Sequence, residues 1–293
     1  MFVPREGICG PRQVEVSEAS APSSDGESAE PPSSNPADHP LNLYQYPELY
    51  DALKTPDPAD VALVREIIQR YVGPGPYRML DPACGPGNWL APFADGKNRL
   101  VGNDFCEPMV QHVQETLGNR GCRAVHGDMY NLKLGNERFD VVLEASGVTS
   151  IVPDVPTLAR FLDGLSRVLA KRGVVVLLAN CAEPAPAELP ALLWERENPL
   201  PDGSFARVRY ELVEDCQYTT GHQVIRRTVH VVGSDRYPDE LTETYSLRIW
   251  SEAELAELRG LLGKLRLEAV LDADTGAHTH PAGERYLVFR AAE

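Results

Sequence analysis

The chain reads MLDPACGPGNW at residues 79–89, and this segment is the strongest indication of its fold. We predict a strand over residues 77–83 that carries Asp81 near its carboxyl end, followed by a loop with Gly85 and Gly87. Glycines at such a turn let a ligand approach the backbone closely, and a helix that begins there points its N-terminal amides at the ligand. The stretch therefore predicts a strand, a ligand-binding loop and a helix that opens after Gly87.

One position argues against a dinucleotide as that ligand. The dinucleotide-binding loop needs a third glycine three positions after Gly87, where helix and strand pack closely, and this chain has Leu90 there. NAD is therefore disfavoured. Because a G-x-G pair alone is a weak signal, a nucleotide-binding oxidoreductase and a non-catalytic sensor of an adenosine ligand stay open at this point.

Strand and helix signals alternate on both sides of this stretch. Runs rich in Val and Leu indicate strands, and apolar residues at helical spacing indicate helices. Strand and helix in alternation predict an α/β fold, a doubly wound and mostly parallel sheet with helices on both faces. The predicted strands cover residues 77–83, 99–105, 123–126, 139–144 and 174–179, and the predicted helices cover 61–71, 108–117 and 158–169.

The second half of the chain departs from that alternation. Three segments rich in β-branched and aromatic residues follow one another without helices between them, at 206–213, 223–232 and 241–249. They predict an antiparallel ribbon of three strands, inserted over residues 204–250. Ser251 and Glu254 then form a capping-box pattern for a helix, and two final strands over 265–271 and 285–290 complete a sheet of seven.

Acidic residues follow the first three predicted strands. Each has an ordinary alternative role: Asp81 could form a turn, Asp104 could cap a helix and Asp128 could be a solvated loop residue. Their joint spacing is the stronger argument, because the carboxyl ends of parallel strands meet at the edge of the sheet where open α/β folds bind ligands. We expect the three carboxylates to share that edge.

The pattern from Asp81 onward resembles the class I S-adenosylmethionine-dependent methyltransferases. Their first motif is an acidic residue followed by three alternating glycines; Asp81, Gly85 and Gly87 match it, and Ala83 stands in place of the first glycine. The resemblance extends from about Tyr44 to Arg290. It implies S-adenosylmethionine as the cofactor and the seven-stranded, Rossmann-like fold of that family.

The resemblance also implies roles for individual residues. In the family, a carboxylate at the position of Asp104 binds the ribose hydroxyls, an acid at that of Asp128 reads the adenine amino group, and the end of the fourth strand lies beside the methionine part. The residues that the resemblance assigns to the cofactor are Tyr50, Asp81, Ala83, Gly85, Gly87, Asn88, Asp104, Phe105, Met109, Asp128, Met129, Glu144 and Ala145.

The ribbon and the segment YQYPELYD, residues 44–51, resemble parts of small-molecule N-methyltransferases. There such strands cover the pocket, and an N-terminal Tyr-Asp segment closes over the cofactor. We predict that the ribbon and Tyr50 form a lid; the alternative is that the tyrosines of 44–50 only anchor a helix to the core. His222, Tyr210 and Tyr245 are weak candidates for a general base, and Arg248 is a further candidate for the pocket lining.

These features predict a methyltransferase that acts on a small molecule, with nitrogen favoured over oxygen or carbon as the acceptor atom. The chain lacks the Asn/Asp-Pro-Pro-aromatic motif of nucleic-acid amino-methyltransferases, since it reads LEASG at 143–147. The alternative within the same fold is an enzyme that uses S-adenosylmethionine for other chemistry, such as an intramolecular displacement on its aminobutyrate chain. The acceptor and the oligomeric state are left open, and a homo-oligomer is compatible with the sequence.

Composition limits the partners. Among 293 residues, 28 are Lys or Arg and 43 are Asp or Glu, so the formal net charge is −15, which opposes binding to nucleic acid or to lipid headgroups. The longest apolar run, residues 174–179, is far shorter than a bilayer span, and residues 1–12 do not resemble a signal peptide. A soluble, cytoplasmic protein is expected.

The remaining features predict structure rather than chemistry. Residues 1–39 are rich in Pro, Ser, Ala and Glu and predict a disordered tail ahead of a methyltransferase domain over 40–293. The six cysteines form no C-x-x-C pair, which favours reduced, buried thiols over disulfides. His278 and His280 fall in a loop that predicts a solvated turn, so no metal is expected.

Overall fold

The computed structural model describes residues 43–181, 192–213, 221–273 and 283–292. The predicted tail of residues 1–39 and the histidines at 278 and 280 lie outside the described residues. The helices are α1 Pro47–Lys54, α2 Pro58–Tyr71, α3 Glu107–Leu117, α4 Val155–Val168 and α5 Glu252–Leu261. The strands are β1 Arg78–Asp81, β2 Arg99–Asp104, β3 Cys122–His126, β4 Phe139–Glu144, β5 Leu169–Asn180, β6 Leu192–Pro199, β7 Phe205–Leu212, β8 His222–Val232, β9 Glu240–Arg248, β10 Leu265–Asp272 and β11 Glu284–Ala291.

Seven strands form one large sheet in the order β10-β11-β5-β4-β1-β2-β3. Strands β1 to β5 run parallel, and β11 runs antiparallel to both of its neighbours, β5 and β10. The doubly wound, mostly parallel sheet of seven strands predicted from the sequence is confirmed. Because β1 lies in the middle of the parallel strands, the loop after it opens at the centre of the sheet edge where ligands bind in such folds.

Each face of the large sheet has its own core. On one face, α2 and α3 pack over alternate residues of β4 and β5, such as Val141 and Val176. On the other face, α4 and α5 cover the residues in between, such as Val142 and Val175. Both faces of β5 are therefore buried, which explains why its sequence is a continuous apolar run rather than an alternating one.

The prediction of a helix after Gly87 is wrong. The chain makes one turn there, in which the Ala91 N–H donates to the Gly87 carbonyl at 2.8 Å, and only a single 3-10 turn, Ala91–Phe93, follows. Pro92 is the physical reason: it has no N–H to donate to the turn before it, and it disfavours helical geometry at Ala91. The loop therefore presents turns, not a long helix, to the edge of the sheet.

A second, antiparallel sheet of four strands follows β5 in the chain, in the order β6-β7-β8-β9. The three predicted ribbon strands correspond to β7, β8 and β9, and the sequence analysis missed β6. This strand lies at the edge of the sheet, carries four charged or amide side chains and ends at Pro199, a position where an edge strand tolerates proline. Such a composition resembles a loop.

The helices of the described residues are short. The longest, α2 and α4, have 14 residues each, and none of the helices in these parts of the chain has the length and apolarity that crossing a bilayer requires.

Gly102 on β2 allows the loop after β1 to pack against the sheet. A Cβ atom at this position would lie 2.6 Å from the Cys84 Sγ and 3.0 Å from the Leu90 Cδ1. Leu90 is fully buried and packs over this glycine. The dinucleotide fold achieves close packing with a third glycine on the helix, whereas here the glycine lies on the strand and the loop contributes a leucine.

We therefore expect Gly102→Ala to lower the free energy of unfolding by about 1–3 kcal/mol, as overpacking of a core does. Gly260→Ala is the matched control, because Gly260 lies in α5 and an added Cβ would meet nothing within 4 Å. This control should gain about 0.4–1 kcal/mol. Urea denaturation followed by circular dichroism measures both. If Gly102→Ala were as stable as the parent, the close approach of loop and strand would not be a constraint.

Candidate functional site

Asp104, the last residue of β2, holds the loop after β1 in place. Its Oδ2 accepts a hydrogen bond from the Gly85 N–H at 2.7 Å, and its Oδ1 accepts one from the Cys106 N–H at 2.9 Å. Cys106 is the N-cap residue of α3, so Asp104 does not cap that helix. An ionised carboxylate can accept about four hydrogen bonds, so this side chain keeps capacity for a ligand hydroxyl.

Asn103 joins the loops that follow three neighbouring strands. Its side-chain amide donates to the carbonyl of Pro82, after β1, at 2.9 Å and to that of Gly127, after β3, at 3.0 Å. The side chain is 1% exposed, and its Oδ1 has no hydrogen-bond partner. The sequence analysis missed Asn103; its polar side chain at a buried strand position beside Asp104 was the available signal.

Asp81 and Glu144 are two further buried carboxyl groups, at the ends of β1 and β4. Asp81 is 2% exposed and Glu144 is fully buried. Burial raises the pKa of Asp81 well above its usual range, and the neighbouring Glu144 raises it further. Burial also raises the pKa of Glu144, and of Asp104 on the adjacent strand. Burial therefore disfavours the ionised form of all three carboxyl groups, and the other two carboxyl groups add to this effect at Asp81.

Glu144 has one oxygen that is bonded and one that is not. Oε1 accepts hydrogen bonds from the backbone N–H groups of Ser146 at 2.9 Å and Val148 at 3.0 Å, and from the Ser146 hydroxyl at 2.8 Å. Oε2 is buried without a partner. A buried carboxylate oxygen in this state is favourably placed to receive a donor or a positive charge from a ligand.

The loop after β3 is more open than the other two. Asp128 is exposed, and its Oδ1 accepts the Tyr130 N–H at 2.8 Å. Met129 is partly buried, and Phe105 is 38% exposed after β2. The His126 Nε2 and the Phe105 carbonyl are 2.8 Å apart, so this contact links the two loops. The structure brings both loops to the same edge, as the sequence analysis expected.

Other residues assigned to the cofactor serve packing. Gly87 has φ +94°, and a Cβ there would lie 2.9 Å from the Leu117 Cδ1 on α3. Met109 and Ala145 are buried, and Ala83 donates its N–H to the Asp81 Oδ1 at 3.1 Å. These residues shape the loop, and their contact with a cofactor stays a prediction.

Helix α1 packs against the loop after β1. The Asn88 side-chain amide, which the sequence analysis assigned to the cofactor, donates to the Asp51 Oδ1 at 2.6 Å. Tyr50 is its neighbour, and the Cε1 of its ring lies 3.9 Å from where a Cβ on Gly85 would be. The Tyr50 ring also packs on Tyr44, with 5.4 Å between centroids. Tyr50 is thus beside the glycine loop, where the lid prediction requires it to be.

The same helix is bound to the antiparallel sheet on its other side. The Glu48 carboxylate accepts the Tyr237 hydroxyl at 2.9 Å, and the Arg196 guanidinium donates to the Thr55 carbonyl at 3.0 Å. Leu49 and Leu53 are fully buried in the apolar core of this sheet. Helix α1 therefore connects the loop after β1 to the sheet formed by β6–β9.

A group of polar and aromatic side chains lies on the face of the antiparallel sheet that carries this core. Four of its members stand directly opposite one another across the strands, in the row Trp194, Tyr210, Arg227 and Glu243. Arg227 and Glu243 form an ion pair. We call the whole group the inner cluster: Lys54, Trp194, Tyr210, Gln223, Arg227, Glu243 and Tyr245.

Lys54, at the end of α1, brings a second positive charge to the inner cluster. Its Nζ lies 4.3 Å from the centroid of the Tyr210 ring and 5.5 Å from that of Trp194. The sequence analysis found Tyr210 and Tyr245 but missed Lys54, Gln223, Arg227 and Glu243. Alternation along β8 was the signal, because it places Gln223 and Arg227 on the face that buries Ile225 and Val229.

The two tyrosines of the inner cluster differ in acidity. Burial acts to raise the pKa of Tyr210, but the positive charges of Lys54 and Arg227 outweigh it, and the pKa lies below its usual value. Burial raises the pKa of Tyr245 well above its usual value, and the nearby Tyr210 adds to that effect. Of the two, Tyr210 therefore ionises more readily.

Two other residues, Arg248 and His222, were predicted for the pocket. Arg248 pairs with Glu254 on α5 and stacks on the Trp250 ring at 4.6 Å, and its place in the pocket lining stays a prediction. His222 begins β8, but its side chain lies outside the described residues. In the described parts of the chain no group of three or more His, Cys, Asp or Glu side chains has the arrangement of a metal site.

Part of the large sheet and its loops is similar in sequence to known methyltransferases. Residues 79–173 match a family model described as "Methyltransferase domain". A demethylmenaquinone methyltransferase of Staphylococcus epidermidis is 32% identical over 105 residues, which are 34% of this chain and 42% of that protein. The chain thus spans less than half the length of this curated relative.

Solved structures extend the similarity in fold to most of the chain. The sugar N-methyltransferase KedS8 from Streptoalloteichus superimposes with a TM-score of 0.62 at 17% identity, covering 83% of this chain and 92% of that one. CalS10, an amino pentose methyltransferase from Micromonospora echinaspora solved with S-adenosylmethionine bound, gives 0.59 at 20% identity, covering 82% and 94%. These similarities show the fold of the class I methyltransferases, and residues 79–173 match the model of a methyltransferase domain.

The acidity of Tyr210 can be measured directly. In a titration followed at 295 nm, we expect one tyrosine to ionise below the ordinary value of about 10, because two cations face it. This early step should be lost in Tyr210→Phe and should move to higher pH in Lys54→Met. Tyr237→Phe is the control, since burial and Glu48 raise the pKa of Tyr237 to about 12. An early step that persists in Tyr210→Phe would contradict the assignment.

Proposed function

We propose that this protein transfers the methyl group of S-adenosylmethionine to a small-molecule acceptor, with nitrogen as the favoured acceptor atom. One observation carries the proposal: Asp81, Asp104 and Glu144 end three neighbouring parallel strands around the glycine loop, and all three are buried. The family match over residues 79–173 supports the reaction class. The bound cofactor in the CalS10 structure supports the choice of cofactor.

The charges of the site fit this cofactor and oppose a dinucleotide. Burial raises the pKa values of the three carboxyl groups, and the charges of Glu144 and Asp104 raise that of Asp81 further. A ligand with a sulfonium and an ammonium group would relieve the cost of ionising them, and the unpartnered Oε2 of Glu144 could accept a hydrogen bond from the ammonium. A pyrophosphate would add negative charge and increase the cost. This argument is independent of the Leu90 argument.

When bound, S-adenosylmethionine supplies a methyl group that is already activated by the positive sulfur. The residues of this chain then have to bind the cofactor and the acceptor, orient them for reaction and exclude water. Such positioning can account for about 7–11 kcal/mol of a reaction barrier. We assign Asp104 to the ribose hydroxyls and Asp81 and Glu144 to the positively charged end. Phe105, Met129 and Asp128 line the opening assigned to the adenine, and Tyr50 closes the loop side.

Two observations support a small acceptor and nitrogen. The net charge of −15 opposes nucleic acid as the acceptor. The name of KedS8 states N-methylation of a sugar, and its fold extends over the antiparallel sheet as well. A general base is needed only if the acceptor arrives protonated. Among the predicted candidates, Tyr210 is the better placed by its lowered pKa.

Product analysis tests the proposed function. The purified protein is incubated with S-adenosylmethionine labelled in its methyl group and with a panel of amines, phenols and carboxylic acids, and the products are read by mass. Labelled acceptor together with S-adenosylhomocysteine supports methyl transfer. Methylthioadenosine as the product would show displacement on the aminobutyrate chain instead, and unchanged cofactor with every acceptor would contradict the proposal.

We expect Asp104→Ala to weaken S-adenosylmethionine binding by about 1.5–3 kcal/mol in isothermal titration, because a carboxylate that accepts hydroxyl hydrogen bonds is lost. Asp104→Asn is the matched variant: it removes the charge but keeps the size of the side chain and one of the two acceptors of backbone N–H groups. Circular dichroism checks that both fold. Unchanged affinity in both variants would remove Asp104 from the cofactor site.

We expect S-adenosylhomocysteine to slow amide exchange in residues 43–53 as well as in the glycine loop, because Tyr50 stands against Gly85 and the helix should be held when the site is filled. Adenosine is the control ligand, since it lacks the amino-acid chain that the lid would cover. Protection confined to residues 82–90, with full activity in Tyr50→Phe and Tyr50→Ala, would leave α1 as packing and contradict the lid.

A further inference from the structure

The inner cluster contains three buried polar groups whose outer atoms have no hydrogen bond of ordinary geometry. They are the Tyr210 hydroxyl, the Gln223 Nε2 and the Arg227 Nε. Their side chains are 8%, 3% and 5% exposed. Burying a donor without a partner is unfavourable, and native proteins have few such groups. The Tyr210 hydroxyl already faces Lys54 and Arg227, which lower its pKa. The two nitrogens of Gln223 and Arg227 are therefore the atoms that indicate a ligand on this face of the sheet.

Tyr210 and Arg227 are direct neighbours across the ladder, whereas Gln223 lies farther along the same face. Gln223 precedes Arg227 by four residues of β8, which is about 13 Å of strand. The nitrogens of Gln223 and Arg227 can only donate hydrogen bonds. A ligand that satisfies either of them must therefore offer hydrogen-bond acceptors, which in small organic molecules are chiefly oxygen atoms.

Charge selects among oxygen ligands. Arg227 and Lys54 contribute two positive charges to the inner cluster and Glu243 contributes one negative charge, so one positive charge is left over within this group. The guanidinium and the ammonium group are held over aromatic rings, with 5.5 Å between Arg227 and the Tyr245 centroid and 4.3 Å between Lys54 and the Tyr210 centroid. A buried excess of positive charge attracts an anion and repels a cation.

We propose that the inner cluster binds an anionic oxygen group, a carboxylate or a phenolate, on the methyl acceptor, with Arg227 as its hydrogen-bond donor and Lys54 as its second cation. Trp194 and Tyr245 provide flat apolar surface for the carbon skeleton next to that group. An amine acceptor is compatible with this site when the same molecule carries the anionic oxygen elsewhere.

This inference deepens the proposed function, because it names the class of acceptor, and it rests on that function only for calling the ligand an acceptor. The anion site itself can be tested without any methyl transfer. Binding of S-adenosylhomocysteine beside Asp81, Asp104 and Glu144 is measured separately. Failure of the anion to bind would therefore not contradict the proposed function, and failure of S-adenosylhomocysteine to bind would not contradict the anion site.

Four probes of similar size and different charge test the site in the full-length protein. Isothermal titration is run with benzoate, 4-nitrophenolate, benzamide and benzylammonium, each with and without saturating S-adenosylhomocysteine. We expect benzoate, 4-nitrophenolate or both to bind at least tenfold more tightly than benzamide and benzylammonium. The stronger of the two anions tells a carboxylate from a phenolate. Equal binding of all four, or tighter binding of benzylammonium, would overturn the proposal.

Two substitutions locate the binding. Lys54→Met should weaken binding of the preferred anion by about fivefold to tenfold. Lys97→Met is the matched control, because it removes the same charge from an exposed residue in the turn before β2. Gln223→Leu keeps the size of the side chain and should change binding of this small anion less than twofold, because Gln223 lies about 13 Å along β8 from Arg227. Both variants avoid the Arg227–Glu243 ion pair, whose disruption would threaten folding. An equal loss in Lys54→Met and Lys97→Met would show attraction to net charge only and would overturn the site.

Discussion

The carboxylate of Asp104 is the interaction on which the geometry of the cofactor edge depends. It ends β2, yet its hydrogen bonds fix the backbone of two other segments, the loop after β1 at Gly85 and the start of α3 at Cys106. The adjacent Asn103 extends the same arrangement to the loop after β3. Two neighbouring side chains at the end of one strand thus set the relative positions of three loops. Because these bonds engage backbone groups, they do not depend on the identity of most loop side chains.

Burial gives this edge its electrostatic character. Exposed carboxylates would be screened and would discriminate little between ligands, whereas Asp81, Asp104 and Glu144 have lost most of their contact with water. The inner cluster has the opposite sign, with Arg227 and Lys54 also buried or packed on rings. Tyr44 interacts electrostatically with both Arg227 and Asp104, and the Tyr50 ring packs on it. A phenol is neutral and can form hydrogen bonds, so such side chains are suited to separating two regions of opposite charge.

The sequence predicted the large sheet well because a buried parallel strand has a composition that few other structures share. It also placed the acids, since their positions depend only on where strands end. It failed at residues 88–93, where Pro92 overrides a glycine-loop pattern, and at β6, whose polar edge position resembles a loop. Asn103, Arg227 and Lys54 were missed for a different reason. Local alternation places Asn103 and Arg227 at buried positions. Their partners, and the position of Lys54, depend on cross-strand register and on helix α1, which a local pattern does not give.

Helix α1 has a consequence for how such an enzyme could be changed. Residues on this one short helix contact both ligand regions: Tyr50 and Asp51 face the glycine loop, and Lys54 faces Tyr210 and Trp194. The antiparallel sheet is therefore not an independent module that can be exchanged by itself. A graft of β6–β9 from a relative would bring an acceptor surface without its lysine and would leave the Glu48, Ala52 and Thr55 contacts unmatched. Residues 43–55 and the sheet β6–β9 would have to be exchanged together, although about 140 residues separate them in the chain.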